Sequence, residues 1–141
     1  MSDLNPFHLA IPVYNLEECR SFYNSILGFE EGRSSKEWVD FNCFGHQLVI
    51  HKKPQHLFDE NHANSVDGKH VPVPHFGVIL KWDEFTQFEQ QLKSHSIDFI
   101  IEPYLRFEGE TGEQKTMFFT DPSGNALEFK TFKNTNQIFK K

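Results

Sequence analysis

The chain has 141 residues, of which 38% are hydrophobic, 24% are charged and sixteen are phenylalanine. That length suits one domain with a buried core, so we expect a single domain over residues 1–141. The net charge of −6 argues against nucleic acid as a partner, because phosphate binding needs a basic surface. No apolar run approaches the length of a membrane span, and the first apolar segment lacks a signal-peptide pattern. We therefore expect a cytoplasmic protein with no membrane partner.

The first elements along the chain are a strand, a helix and a hairpin. Residues 7–13 are a short apolar run, which predicts a strand. Asn15 is suited to cap a helix whose apolar residues recur at helical spacing as far as Gly28. Residues 38–43 and 47–51 alternate in polarity around a short turn, as the two strands of a β-hairpin do.

The same order of elements recurs in the second half. It comprises a strand at 75–80, a helix capped by Asp83, a strand at 98–101, and a hairpin of 115–120 and 126–130 around the turn 121–125. We therefore predict an α+β fold of two tandem βαβββ modules that form a curved mixed β-sheet cavity with flanking helices. Module one covers about residues 5–54 and module two about 72–133. The linker at about 55–71 is polar and long enough to act as a lid or binding loop.

Three residues of the duplicated pattern have the chemistry of metal ligands. His8 and His75 occupy the same position in the first strand of each module, and the residues two places on, Ala10 and Gly77, leave room beside the imidazoles. Glu128 faces inward from the last strand, where a carboxylate is costly unless it is paired or metal-bound. Any one of these residues would more often be structural, but the three together are hard to obtain by chance. Two imidazoles and one carboxylate predict one divalent ion per chain, with Fe(II) favoured and Mn(II), Zn(II) or Ni(II) as alternatives.

The duplication also predicts which other residues face the metal. Val49 is the counterpart of Glu128 and cannot bind a metal, so the site has three protein ligands and keeps open positions, as catalytic sites do. His51 and Lys130 are counterparts predicted to face inward, as candidates for proton transfer or charge neutralisation. Each is equally well explained as an ordinary residue at the rim.

The remaining candidates lie in the second module. Tyr104 and Arg106 share strand parity in a stretch that the first module lacks. Arg106 and Lys130 are the candidates to meet an anionic group of a substrate, although each is by default a solvated charge. Phe119 is the aromatic candidate for the substrate pocket. In a reaction that moves protons, His51 is the candidate base and Tyr104 the candidate acid.

Residues 8–13 (HLAIPV) and 22–29 (FYNSILGF) resemble the opening of the vicinal oxygen chelate superfamily. That superfamily includes glyoxalase I, extradiol dioxygenases, fosfomycin-modifying thiol transferases and bleomycin-binding proteins. Residues 121–129 (DPSGNALEF) resemble its closing motif, whose glutamate is the last metal ligand. Shorter segments, among them Gly45-His46-Gln47-Leu48-Val49 and His75-Phe76-Gly77, resemble a bacterial branch described as extradiol-type dioxygenases by inference.

The resemblance implies a homodimer and a metal-dependent enzyme whose small-molecule substrate chelates the metal through neighbouring oxygens, in this branch an extradiol-type dioxygenase. Two departures bear on the reaction. Val49 stands at the fourth ligand position of glyoxalase I, which argues against that activity. Phe118 and Phe119 stand on the strand where extradiol enzymes carry a tyrosine. The alternatives are a redox-neutral metal-dependent isomerase, lyase or transferase, or a metal-free protein that binds a small ligand as bleomycin-binding relatives do.

Overall fold

The computed structural model describes residues 4–58 and 63–141. Within these residues the chain divides into two compact units. The first unit contains residues 4–58 together with 121–125, and the second contains residues 63–120 and 126–141. The first unit holds one β-sheet, and the second holds a five-stranded sheet and a separate two-stranded sheet. The predicted α+β fold with a βαβββ module in each half is confirmed.

The elements of the first unit are β1 (His8–Val13), α1 (Leu16–Ser21) continued by a π-helical turn (Phe22–Ile26), β2 (Glu30–Ser34), β3 (Trp38–Cys43), β4 (His46–Lys52) and a 3-10 turn (Gln55–Phe58). The four strands form one sheet in the order β1-β4-β3-β2. Strand β1 runs parallel to β4, and the other neighbours are antiparallel.

Local sequence explains where the elements of the first unit begin and end. Asn15 caps α1 as predicted, because its side-chain oxygen accepts a hydrogen bond from the backbone N–H of Glu18 at 3.0 Å. Phe44 and Gly45 connect β3 to β4 with φ values of 50° and 89°. Two consecutive positive φ values are what a tight two-residue hairpin turn of type I′ requires.

The elements of the second unit are β5 (Ala63–Val66), β6 (Lys69–Pro72), β7 (His75–Phe76), β8 (Ile79–Leu80), α2 (Trp82–Ser94), β9 (Phe99–Arg106), β10 (Gln114–Thr120), β11 (Ala126–Phe132) and a 3-10 turn (Thr135–Gln137). Strands β7 and β8 both pair in parallel with β11. On its other side β11 pairs with β10, and β10 pairs with β9, both antiparallel. Strands β5 and β6 form a separate antiparallel hairpin.

Two local features differ from the sequence expectation. Helix α2 begins at Trp82 with Lys81 as its N-cap, so the prediction that Asp83 caps the helix was wrong. The backbone N–H of Lys81 donates to Glu84 Oε1 at 3.0 Å, so a residue inside the first turn bonds the start of the helix. The predicted linker also carries the β5–β6 hairpin, while part of that linker, residues 59–62, lies outside the described residues.

Helix α2 covers one face of the second sheet with apolar side chains. Phe88 meets Phe129 with ring centroids 4.8 Å apart, and Phe119 stacks on Phe129 at 5.9 Å. Phe85 and Leu92 of the same helix are fully buried. Since side chains alternate along a strand, the neighbours of these core residues in β10 and β11 face the other side of the sheet, where the polar residues lie.

The two modules repeat their backbone register. His8 lies opposite Gln47 in the parallel pair β1–β4, and His75 lies opposite Ala126 in the parallel pair β7–β11. The same offset that relates Gly45 to Gly124 relates Gln47 to Ala126. The two histidines therefore hold equivalent places in their modules.

No helix in the described ranges is long and apolar enough to cross a membrane.

Candidate functional site

His75 and Glu128 meet on the face of the second sheet that α2 does not cover. His75 Nε2 lies 3.1 Å from Glu128 Oε1, and the side chains are 27% and 12% exposed. Gly77 allows this approach: a Cβ at that position would lie 1.5 Å from the carbonyl oxygen of Glu128. The small residue expected beside His75 is therefore needed for the backbone of β11 rather than for the imidazole.

Neighbouring acceptors and donors fix the orientation of this pair. His75 Nδ1 lies 2.6 Å from the carbonyl oxygen of Pro72, which can only accept, so Nδ1 carries a proton and Nε2 faces Glu128. The hydroxyl of Thr116 donates to Glu128 Oε2, and Lys130 Nζ lies 3.6 Å from the same oxygen. The ring of Phe118 packs edge-on against His75, with centroids 5.1 Å apart. The imidazole of His75 and the carboxylate of Glu128 are thus held in place by their surroundings.

Hydrogen bonding shifts the pKa values of the pair in opposite directions. The hydrogen bond to Glu128 raises the pKa of His75, although partial burial opposes this. Burial alone would raise the pKa of Glu128, but the hydrogen bonds from His75 and Thr116 outweigh it, so that pKa lies below its usual value. Both shifts favour an imidazolium beside a carboxylate. A divalent cation that binds both side chains displaces the proton they share.

His8 belongs to the first unit and is oriented by a different set of residues. Its Nδ1 lies 2.8 Å from Gln47 Oε1, and Gln47 Nε2 lies 3.3 Å from Asp40 Oδ2. A carboxylate only accepts, so the amide nitrogen of Gln47 must face Asp40 and its oxygen must face His8. That oxygen places the His8 proton on Nδ1 and leaves the Nε2 lone pair available. His8 is exposed, as is Ala10 on the same face of β1.

An open depression of about 370 Å³ lies beside this group in the first unit. Its lining residues, which include Asp40 and Gln47, are mainly acidic, amide or small: Pro6, Glu30, Glu31, Gly32, Asp40, Phe41, Asn42, Gly45, His46 and Gln47. A ligand in this depression would therefore contact the residues that orient His8.

The chemistry of the donor set fits a divalent metal ion. Both imidazoles have Nδ1 bonded to an acceptor, which leaves Nε2 as the coordinating nitrogen, although Nε2 of His75 is paired with Glu128 in this structure. Glu128 supplies a carboxylate whose second oxygen is hydrogen-bonded to Thr116. Val49, the counterpart of Glu128, is buried opposite Asp40 and supplies no ligand. Within residues 4–58 and 63–141, no group of three or more His, Cys, Asp or Glu side chains is placed to hold a metal. The structure brings His75 and Glu128 together, and the addition of His8 remains a prediction.

The residues expected at the substrate side share the Glu128 face, with one exception. Thr116 lies opposite both Lys130 and Tyr104, and Gln114 lies opposite Arg106, so these side chains share a face. Phe119 is fully buried against Phe129 on the opposite, helix-covered face. The structure therefore does not bring Phe119 to a substrate.

Phe118 is the phenylalanine that lies opposite Glu128 in the register of β10 and β11.

His51, the candidate base, lies opposite Pro12 and is half-buried on the His8 face of the first sheet. It is four residues along β4 from Gln47, about 13 Å at the usual strand rise. His51 therefore does not touch His8, and its role as a base remains a prediction.

Two residues beside the predicted site residues, Asp67 and Thr116, were not predicted from the sequence. Tyr104 OH donates to Asp67 Oδ2 at 3.2 Å, and Arg106 Nε lies 2.5 Å from the same oxygen. Burial raises the pKa of Tyr104; the Arg106 charge opposes that rise and Asp67 adds to it. The Asp67-Gly68 pair is a hairpin-turn dipeptide that could have located this turn. No signal marked Thr116, whose role depends on its position beside Glu128.

The duplicated βαβββ modules with equivalent histidines in their first strands define a glyoxalase-type fold. The family model of the Glyoxalase/Bleomycin resistance protein/Dioxygenase superfamily matches residues 6–129, and the chain belongs to this superfamily. Members commonly bind a divalent metal and small-molecule substrates and often form dimers.

Solved structures agree with this assignment. A glyoxalase/bleomycin resistance protein/dioxygenase from Alicyclobacillus acidocaldarius is 31% identical over 96% of both chains, with a TM-score of 0.77. The fosfomycin resistance protein FosX from Listeria monocytogenes is 18% identical over 93% of both chains, with a TM-score of 0.63. Lactoylglutathione lyase from Agrobacterium tumefaciens is 16% identical over 90% of this chain and 92% of its own, with a TM-score of 0.61. The last two similarities concern the fold alone.

Proposed function

We propose that this protein is a metal-dependent enzyme whose substrate is a small molecule with two neighbouring oxygens that chelate the metal. His8, His75 and Glu128 are its ligands for one divalent ion. The observation that carries the proposal is the His75–Glu128 pair, in which an imidazole nitrogen and a carboxylate oxygen meet at 3.1 Å on a largely buried sheet face. A carboxylate in such a place is costly unless it is paired or metal-bound.

The surrounding residues have separate tasks in this proposal. The Pro72 carbonyl and the Gln47 amide hold His75 and His8 in the tautomer that presents Nε2. Thr116 holds one oxygen of Glu128, which leaves the other for the ion. Mutation of a residue that orients a metal ligand in this way commonly lowers metal affinity by about 10- to 100-fold.

The reaction we propose is oxygen-dependent cleavage of a catechol-like ring, with Fe(II) as the native ion. An ion held by His8, His75 and Glu128 would supply Lewis acidity and redox chemistry with dioxygen. Arg106 and Lys130 neutralise negative charge on the substrate, and Tyr104 and His51 are the candidate acid and base. Phe118, which packs against His75, takes the aromatic role first expected of Phe119.

A redox-neutral isomerisation, elimination or group transfer with Mn(II), Zn(II) or Ni(II) is the second candidate. The position of Phe118 favours it, because this ring lies opposite Glu128 on the strand where extradiol enzymes carry a tyrosine hydroxyl. Without that hydroxyl, a proton-transfer step of ring cleavage must be served by Tyr104, which is bonded to Asp67 in this structure.

Metal analysis tests the shared part of both candidates. We expect close to one divalent ion per chain in the purified protein, and loss of that ion on His8→Ala, His75→Ala or Glu128→Ala with the fold retained by circular dichroism. His56→Ala, at an exposed histidine of the 3-10 turn after β4, is the matched control and should keep the metal. Full metal retention in the three ligand variants would refute the proposed centre.

Oxygen consumption separates the two reactions. Protein reconstituted anaerobically with Fe(II) should consume oxygen and form ring-opened product with at least one catechol. Turnover with another metal under anaerobic conditions, without oxygen uptake with any catechol, would instead assign the redox-neutral reaction.

We also propose a homodimer, on the ground that superfamily members often form dimers. Sedimentation that shows only monomer at micromolar concentration would contradict it.

A further inference from the structure

The β5–β6 hairpin packs on the Glu128 face of the second sheet. Val71 of β6 forms a buried cluster with Ile101 and Phe118, and Tyr104 packs against that cluster. Lys69 Nζ lies 4.8 Å from the centroid of the Tyr104 ring, a distance at which the cation is attracted to the ring. The hairpin therefore covers the part of the face that carries Tyr104.

The turn of this hairpin inserts a carboxylate between two candidate substrate residues. Asp67 Oδ2 accepts the Tyr104 hydroxyl at 3.2 Å and lies 2.5 Å from Arg106 Nε. Arg106 is 17% exposed, whereas Asp67 is 42% exposed and has a φ of 52°, a backbone conformation that residues other than glycine seldom adopt. The charge that Arg106 meets thus comes from the tip of a turn rather than from the sheet itself.

The guanidinium of Arg106 is only partly satisfied by this contact. Among the described residues its buried Nε–H has no aligned hydrogen-bond acceptor, although Asp67 is close. A guanidinium is a planar fork that binds best when two carboxylate oxygens lie side by side against it. Asp67 presents a single oxygen to both Arg106 and Tyr104. A carboxylate free to rotate would satisfy these donors better.

We infer that Tyr104 and Arg106 form a subsite for the carboxylate of a small organic acid, and that Asp67 occupies this subsite until such a ligand enters. The inference rests on the proposed function only in placing the substrate on the Glu128 face. With Asp67 displaced, Arg106 and Lys69 leave excess positive charge at Tyr104, which a neutral ligand would not compensate. The substrate class is therefore a metal-chelating acid that carries a separate carboxylate.

Benzoate and its neutral counterpart benzamide test the subsite in protein that has been stripped of metal with EDTA and then dialysed free of the chelator. We expect benzoate, titrated by NMR, to shift the amide signals of residues 67–71 and 104–106, and benzamide to leave them in place. Asp67→Asn removes the competing carboxylate and should tighten benzoate binding by about 1.5- to fivefold, the range for release of a partly exposed ion pair. Arg106→Gln should abolish binding, and Arg106→Lys, which keeps the charge but loses the fork, should weaken it.

Lys133→Gln is the matched control, because it removes an exposed cation that pairs with Glu113 away from the subsite. Its benzoate affinity should equal that of the unmodified protein. Unchanged or weaker benzoate binding in Asp67→Asn, or equal binding of benzoate and benzamide, would overturn the inference. These titrations contain no metal, so their result does not depend on the proposed metal centre. A protein that fails to bind metal would refute the proposed function, whereas only the benzoate titrations can refute the subsite.

Discussion

Gln47 is the residue that bonds the ring of His8: its side-chain oxygen lies 2.8 Å from His8 Nδ1, and its amide nitrogen lies 3.3 Å from Asp40. Asp40 is 9% exposed and Gln47 is exposed, so a buried charge determines how a surface amide points. His75 has a backbone carbonyl in the same role. The Nδ1 atoms of the two equivalent histidines thus meet acceptors of different kinds, and only that of His8 is bonded to a side chain.

Replacement of Gln47 by methionine should therefore weaken metal binding without unfolding the protein. The variant keeps the length of the side chain but removes the acceptor for His8 Nδ1. We expect the Kd for the divalent ion to rise by about 10- to 100-fold. In the metal-free protein, nitrogen-15 NMR should show His8 moving from the Nδ1-protonated tautomer to a mixture. Gln55→Met, in the 3-10 turn after β4, is the control; a Gln47 variant with the tautomer unchanged would contradict the argument.

Gly77→Ala should strongly destabilise the second unit. The added Cβ would lie 1.5 Å from the Glu128 carbonyl oxygen and 2.6 Å from its carbonyl carbon, and neither backbone atom can rotate away. We expect a loss of about 3 kcal/mol or more in the free energy of unfolding, at the upper end for overpacking. Gly32→Ala, whose Cβ would lie 3.4 Å from Asp40 Cβ, should change stability far less. Equal urea midpoints for the two variants would show that β7 and β11 are not held this closely.

Tyr23→Phe should destabilise the protein in a pH-dependent way. The fully buried Tyr23 hydroxyl donates to Asp121 Oδ2 at 2.7 Å, and its loss should cost about 1.5–3 kcal/mol at neutral pH, the range for hydrogen bonds to charged groups. Burial raises the pKa of Asp121 above its usual value, although hydrogen bonds from Asn125 and Tyr23 limit the rise. Its ionised form therefore disfavours folding, and each donor reduces that cost.

The cost of Tyr23→Phe should shrink as the pH falls through the folded-state pKa of Asp121, because the protonated carboxyl no longer needs the lost donor. Since that pKa is raised, the change begins above the usual range for aspartate. Tyr14→Phe is the control, because the Tyr14 hydroxyl donates to the neutral carbonyl of Pro122 at 3.1 Å. Its smaller cost should be independent of pH. Parallel pH profiles for the two variants would contradict the assignment of charge to Asp121.

Both cysteine thiols should resist alkylation in the native protein. Burial raises the pKa of Cys43 to about 12 and that of Cys19 to about 11, so little thiolate forms at mildly alkaline pH. We expect iodoacetamide to modify neither residue until the protein is unfolded in guanidinium chloride, as mass spectrometry would show. Ser94→Cys at the exposed end of α2 provides a thiol that should react at once. Rapid modification of Cys19 in the folded protein would indicate that α1 opens.

Sequence patterns sufficed for the duplication but not for the contacts that complete the site. The equivalence of His8 and His75 is a matter of position in a strand, and the repeated register confirms it. The choice between Phe118 and Phe119 was different, because β10 is apolar on both faces and periodicity cannot say which ring faces Glu128. Only the pairing with β11 decides it.

Asp67 and Asp83 show two further limits of sequence reading. Asp67 lies in a segment with little periodicity, and its role depends on Arg106, which is far along the chain. Aspartate is a residue type that often caps helices, but here Glu84, inside the first turn, accepts the backbone N–H of Lys81 at the helix start. In both cases the outcome depends on a partner, Arg106 or Glu84, that local sequence preference does not indicate.

The turn 121–125 belongs to the first unit, although the strands on either side of it belong to the second. Ser123 accepts the backbone N–H of Tyr14 at 3.0 Å, and Asp121 accepts the hydroxyl of Tyr23. The first unit is therefore completed by a turn that lies 98 to 109 residues further along the chain than the tyrosines it bonds. A fragment that stops at residue 58 would contain every strand of the first sheet but neither acceptor. We expect such a fragment not to fold by itself, because the buried Tyr23 hydroxyl would have no partner.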